Sequence, residues 1–386
     1  MMGSALFHWP GRRSAPATLA LGLGLSAGLL ASTLPALAAP QFTISHLVAA
    51  GGAGQNLAAV STSSTTEELF YVPQNGSVQE RYFSELDGWN SVQVAPPGSA
   101  APFADVAAVV RDRNTIVDKI DVFWIGPNGS VEHAFFQDGL PWLREPSAAP
   151  AGSASTSGSL AAVSRAADTW EIFWVSPSGD VDDAFHYDTG PAGRFVLAPH
   201  SASTPNVSLP RHLSVVSRAS TTMEVFWIGE DGSIQDRYYD DGSGWNGFTL
   251  APPGSALGLG SPAGAIAAVS RASNTMEVWW MGRDASVQDA YWFAGSVWNR
   301  FTLSGPNSAE AAIAAVAPSA GAMDVVWQGD GTGALELASF GPPWAQSQVT
   351  PAGPPSLGNV AAVSRAPNHL DLFYVTFNGG IDEAAS

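Results

Sequence analysis

Three polar positions recur through a largely apolar chain, so whatever chemistry they do is done several times over. An arginine ends one segment at Arg111, Arg165, Arg218, Arg271 and Arg365. An acid opens the next at Glu68, Asp121, Glu171, Glu224, Glu277, Asp324 and Asp371. A second acid follows at Glu80, Asp183, Asp236, Asp289 and Glu383, with His133 and Leu337 in the two other copies. A guanidinium presents paired donors and a carboxylate paired acceptors, which together match the adjacent hydroxyls of a neutral sugar, while an indole packs on the apolar face of a pyranose. The same groups can instead neutralise one another and tie the protein together. Internal pairing is expected for the acid that opens the second segment, because all seven copies keep it. The arginine and the later acid are both lost from the sixth copy, where Pro318 and Leu337 stand, while Asp324 and Trp327 remain. A position that one copy can dispense with favours binding, which makes Arg165, Asp183, Arg218, Asp236, Trp245, Arg271, Asp289, Trp298, Arg365 and Glu383 the candidate carbohydrate-binding residues.

The elements that must position them repeat with the same period. An anchor valine stands at Val60, Val109, Val163, Val216, Val269, Val316 and Val363, at intervals of 49, 54, 53, 53, 47 and 47 residues, the range of four-stranded propeller blades. The first segment of each copy is rich in alanine, as in Ala161-Ala162-Val163, and suits a strand crowded near the axis of a radial array. The second is short and aromatic, as in Glu224-Val225-Phe226-Trp227. Turn pairs such as Asn75-Gly76, Asn128-Gly129 and Asp231-Gly232 follow it, and a tryptophan with a short apolar run, as in Trp245 before Phe248-Thr249-Leu250, marks the outer strand. Two turns depart: Asp284-Ala285 lacks the glycine, and the Gly329 to Gly333 stretch is one residue longer.

The expected fold is all-β, a seven-bladed propeller of four-stranded antiparallel blades filling residues 39–386. The seventh copy stops at Ser386 before its outer strand, and Gln41-Phe42-Thr43-Ile44 resembles the missing segment, so the N-terminal strand is expected to complete the last blade and remove an open edge. Reading Asp231-Gly232 as a two-residue turn places Asp236 opposite Trp227, on one face with Val225, Ile234 and Tyr238. Trp124, Trp174, Trp227, Trp280 and Trp327 read as core. Trp89, Trp142, Trp245, Trp298 and Trp344, near the outer strand, are the better stacking platforms. Trp170 stands apart, since it occupies a strand-head position filled by Met223, Met276 and Met323 in other copies.

Composition narrows the partners. Residues 1–38 read as an export leader, with Arg12-Arg13, an apolar stretch from Ala17 to Leu30 and an Ala36-Leu37-Ala38 cleavage site, so a secreted protein is expected. The apolar stretch is too short and interrupted for a membrane span. The formal charge is −18, with 34 acids against 16 basic residues and Lys119 as the single lysine; nucleic acid and anionic membrane are therefore poor partners. The chain has no cysteine, and its scattered histidines lack metal-ligand spacing, so no cofactor or metal is expected. The longest inter-blade stretch, Ala198 to His212, could protrude as a loop.

At the Ala-Val-Ser-Arg segments, the Glu-Val-Phe-Trp strands, the Asp-Gly-Ser-Ile-Gln-Asp turn and the Trp-Asn-Gly-Phe-Thr-Leu run, the chain resembles the PLL-like (Photorhabdus-lectin-like) β-propellers and, more distantly, the fungal fucose-specific lectins. The resemblance covers nearly all of residues 41–386. It implies a multivalent lectin holding fucose or related sugars, O-methylated ones included, in clefts between blades, with glycans of a cell surface or polysaccharide as partners and oligomers allowed. In the fungal lectins an arginine and a glutamate on neighbouring strands grip the sugar beside an aromatic residue. Here the later acid matches, while the arginine comes from the end of the first segment. Two other readings stand beside it. A protein-interaction scaffold would carry unique surface residues, and a hydrolase or lyase would need one asymmetric carboxylate pair, which a repeated set of acids does not supply.

Overall fold

The computed structural model describes residues 41–111, 119–137, 139–188, 190–205, 213–257, 265–310, 312–341, 344–354, 358–367 and 369–386. Their strands form seven antiparallel sheets of four. Blades 1 to 6 take residues 57–95, 106–149, 160–198, 213–251, 266–304 and 313–348 in chain order. Blade 7 joins Val360–Ala366, His369–Val375 and Ile381–Ala385 to the outer strand Thr43–Val48, so both ends of the described chain meet in one sheet, as expected. The closing segment differs in register. Ser45 pairs with Glu383 where Phe248 pairs with Asp236, so Ser45-His46-Leu47, not Phe42-Thr43-Ile44, take the place of Phe248-Thr249-Leu250.

The first strand of every blade lies beside the first strands of both neighbours, and Leu57–Ser63 touches Val360–Ala366, which closes the ring. Alanine lets these strands converge. Ala59, Ala108, Ala162, Val215 and Ala315 line an axial channel of about 670 Å³ with no carboxylate among its described lining residues. The core sits between blades. Trp124, Trp174, Trp227, Trp280 and Trp327 are buried, and each indole N–H donates to a linker carbonyl, those of Ser99, Ser153, Ser203, Ser255 and Ser308. The central aromatic strand of each of these blades is thereby pinned to the connection that enters its blade, and truncating such an indole would cost roughly 3–5 kcal/mol.

The turns explain a register that the sequence suggests wrongly. Asp231-Gly232 belongs to a three-residue loop, in which Gly229 N–H donates to Ser233 O (2.8 Å), Gly232 N–H to Gly229 O (2.8 Å), and Gly232 adopts φ +74°. Asp231 Oδ1 accepts from Ser233 N–H (2.9 Å) and fixes the bulge. One extra loop residue shifts the pairing by one, so Asp236 faces Phe226 and Gln235 faces Trp227. Asp236 therefore shares its face with Glu224, Phe226, Ile234 and Tyr238, and Trp227 and Val225 lie on the other face. Ala285 takes the same left-handed conformation (φ +60°) without being glycine.

Candidate functional site

Because the register puts both acids of a copy on one face, blades 3, 4, 5 and 7 each bring an arginine and two carboxyl groups to an inter-blade cleft. The arginine bonds the first of them. Arg165 Nε donates to Glu171 (3.2 Å), Arg218 Nε to Glu224 (3.5 Å), Arg271 to Glu277 (3.1 Å) and Arg365 Nε to Asp371 (3.3 Å). The expected clasp of arginine with the later acid is therefore replaced by an ion pair with the acid opening the second strand. The guanidinium also reaches the next blade: Arg165 donates to Ser220 O (2.8 Å) and Arg218 to Ser273 O (3.3 Å). Arg165, Arg218, Arg271 and Arg365 lie over Tyr239, Trp292, Phe340 and Phe83 of the following blade at 4.7–5.0 Å. Arg165 and Arg365 are nearly covered, whereas Arg218 and Arg271 keep 24% and 21% of their side chains in water. Burial, only partly offset by the arginines, pushes Glu171, Glu224 and Glu277 up to about 7.

The later acids are deeper than a surface clasp requires. Asp183, Asp236 and Asp289 are fully buried, and among the described residues none of their carboxyl oxygens has a hydrogen-bond partner. Burial first, then the neighbouring Glu171, Glu224 and Glu277, holds them well above the usual carboxylate range. Trp245 and Trp298, expected as exposed platforms, are half-buried wedges driven into the cleft with the preceding blade. Trp245 meets Phe173 edge-on, as Trp298 meets Phe226, Trp344 meets Trp279, Trp142 meets Phe70 and Trp89 meets Phe373. Where the acid is a glutamate it reaches the wedge, since Trp142 Nε1 donates to Glu80 (2.8 Å) and Trp89 Nε1 to Glu383 (3.1 Å). The aspartates, one methylene shorter, make no such bond.

The sixth copy shows why its acid could go. Leu337 stands in place of the acid, and the register of blade 7, extended by one residue, puts Phe42, whose side chain has no N–H, where the wedge tryptophan would be; Phe42 packs on the apolar cluster containing Leu337. Acceptor and donor disappear together, which identifies the acid and the wedge as partners across a blade boundary. Sequence reading missed this pairing, although the covariation of Leu337 with Phe42 carried the signal.

Blades 2 and 3 depart in another way. Trp170 pairs with His186 and His186 with Ala192, where blade 4 has Met223, Tyr239 and Trp245 in the same places. The indole has moved inward and the outer position is an alanine. A cleft of about 580 Å³ opens there, with Phe135, Gln137 and Glu145 from blade 2 facing Trp170, His186 and Arg194 from blade 3. Arg111 bonds Asp121 and crosses to Asp188 (2.5 Å), and Lys119 bonds Asp168 (3.0 Å) and Asp188 (3.2 Å).

Among the described residues, one buried group of carboxylates has the spacing for a cation. Glu67, Asp371 and Glu383 bring oxygens within 4.8 Å of one another between blades 1 and 7. Arg365 Nε, 3.3 Å from Asp371 and 3.9 Å from Glu67, already supplies positive charge there. Burial, followed by the charge of Asp371, pushes Glu67 up to about 9, so this carboxyl remains protonated at neutral pH. Glu67 stands at the Met223 position of its blade, and sequence reading did not single it out. Residues 206–212 of the expected protruding loop lie outside the described residues, as does the leader.

With this geometry in place, comparison with known proteins gives a consistent class. No protein-family model matches the chain, and no curated protein matches it. Among solved structures, the BP39L lectin from Burkholderia pseudomallei is 22% identical over 86% of this chain and 96% of its own, with a TM-score of 0.75. The Aleuria aurantia lectin in complex with Fucα1-6GlcNAc is 16% identical over 81% of this chain and all of its own, with a TM-score of 0.54. The SapL1 lectin in complex with α-methyl fucoside is 15% identical over 80% of this chain and 99% of its own, with a TM-score of 0.54. The fold is thus a seven-bladed β-propeller of the kind found among lectins. The Aleuria aurantia lectin has six blades, so a seven-bladed ring cannot superpose on it throughout.

Proposed function

We propose that this protein is an exported, non-catalytic lectin that binds neutral glycans in clefts between neighbouring blades, with fucose and related or O-methylated sugars as the first ligands to test. The observation that carries this reading is the pair of solvent-facing guanidinium groups of Arg218 and Arg271. Each is anchored through Nε on a buried glutamate and laid beside an aromatic ring of the next blade, with N–H groups left for a ligand. Lectin neighbours that hold fucosides, and an acidic surface with a single lysine, support neutral ligands. The absence of carboxylates among the described lining residues of the axial channel supports a binding role over glycoside hydrolysis. Weak sites repeated round a ring would gain avidity on a glycan-bearing surface. Secretion rests on the sequence of residues 1–38.

The test is a broad glycan array, fucosylated, galactosylated and O-methylated, probed with residues 39–386 and with an Arg218→Gln, Arg271→Gln variant checked for folding. Selective binding that weakens in the variant supports the reading. Well-folded wild-type protein that binds no glycan at high density would overturn it and favour a protein-binding scaffold.

A further inference from the structure

The cleft between blades 2 and 3 differs from the other boundaries by an exchange of side chains. Trp89, Trp142, Trp245, Trp298 and Trp344 each insert an indole from the outer strand of one blade against the blade before it. Blade 3 has Ala192 at that place, and its indole, Trp170, sits at the inner position that is methionine in blades 4, 5 and 6. The exchange keeps the inner half of the boundary full. Trp170 packs on Phe123 (5.0 Å) and on His133 (5.2 Å), which fills the acid position and bonds Asp121 (2.7 Å). Only the outer half is emptied. The resulting 580 Å³ falls within the range of about 300–1,000 Å³ for small-molecule sites.

The walls cannot simply collapse into this space. Arg111 and Lys119 of blade 2 are tied to Asp188 of blade 3, which sets the separation of the blades at the cleft mouth. The interior combines an aromatic floor with polar walls. His186 stacks on Trp170 (5.5 Å, interplanar 18°) and keeps 40% of its side chain in solvent, and Phe135 is half-buried beside it. The side chains of Glu145, Gln137 and Arg194 line the same space and make no hydrogen bond to protein among the described residues, so a carboxylate, an amide and a guanidinium, the last near Asp182, border the cleft with donors and acceptors open to a ligand.

We infer that this cleft is a single, non-repeated saccharide pocket, distinct from the arginine sites at the mouths of the other clefts. It takes a neutral glycan end, larger than one ring, in the space the missing indole leaves. Acceptors on Glu145 and donors on Arg194 meet adjacent hydroxyls while the Trp170–His186 stack and Phe135 meet the apolar face of a pyranose. This inference rests on the lectin reading and assigns it a specific site.

The experiment titrates the Arg218→Gln, Arg271→Gln protein, in which the repeated sites are impaired, with methyl α-L-fucopyranoside, methyl β-D-galactopyranoside and their disaccharides by calorimetry. The same titration is made after adding Ala192→Trp alone or together with Trp170→Met, which restores the side-chain pair of blades 4 to 6; circular dichroism and thermal melting establish that each variant is folded. The expected result is residual binding at one ligand per chain, weakened at least tenfold by refilling the cleft. Residual binding that refilling leaves unchanged, or none at all while the wild type binds, overturns the inference and leaves the lectin reading standing. A wild type that binds none of these sugars and no glycan on the array overturns both.

Discussion

Replacing Glu67 by methionine should make the ring more stable and less sensitive to alkali, because the other blades show what that position accommodates. Glu67 is fully buried at the closing boundary, and burial first, then the charge of the nearby Asp371 and a hydrogen bond with it, raises it from 4.5 to about 9. The unfolded chain releases this proton near pH 4.5, while the folded chain keeps it until about pH 9. Between those limits the native state binds more protons, so stability falls as pH rises, by about 1.4 kcal/mol per pH unit for one proton. Glu80, Glu171, Glu224, Glu277 and Glu383, raised to about 7 chiefly by burial, act in the same direction but are largely spent above pH 7.5. From pH 7.5 to 9 the Glu67 carboxyl therefore accounts for about 2 kcal/mol, or roughly 3 °C in melting temperature for a domain of this size. Thermal melts of wild type, Glu67→Met and Glu67→Gln at pH 6, 7.5 and 9 should show a steeper alkaline decline in the wild type, with both variants more stable at pH 9. Parallel declines, or a methionine variant that melts lower at pH 9, would refute the assignment of a buried, protonated Glu67.

Two further outcomes follow from the blade boundaries. Trp89→Phe removes the N–H that Glu383 accepts and should cost about 1–3 kcal/mol in denaturant unfolding. Adding Glu383→Leu, which copies the native Leu337–Phe42 combination, should recover much of that loss, and strictly additive losses would show that acid and wedge are independent. Ala285→Gly should raise stability by about 1 kcal/mol, since Ala285 holds φ +60° where five other blades have glycine; an unchanged melting temperature would place the strain elsewhere.

The fold was legible because its signals are local and repeated seven times. Valine spacing, turn glycines and alanine-rich first strands all point to the same ring, and even closure by the N-terminal strand could be read. The site was less legible, for identifiable reasons. A loop of three residues and one of two look alike around Asp231-Gly232, yet they place Asp236 against Phe226 or against Trp227. Arg218 stands 6 residues from Glu224, so their pairing is local. The partnership of Glu383 with Trp89 spans 294 residues and becomes visible only once blades are set side by side. Trp170 stood out in the sequence, but its meaning depended on Ala192, whose equivalence to Trp245 is a matter of register and not of motif.

The closing blade also imposes a timetable on the growing chain. His46 on its outer strand bonds Asp382 at 2.7 Å across 336 residues of sequence. At about 5–20 residues per second of synthesis, Thr43–Val48 must wait on the order of half a minute before Ile381–Ala385 exists to receive it. Until then blade 7 lacks its partner strand and the ring is an open arc, whose two ends present unsatisfied boundaries that could accept a strand from another nascent molecule. Crowded expression should therefore trap swapped multimers in which one chain lends its Thr43–Val48 to the next.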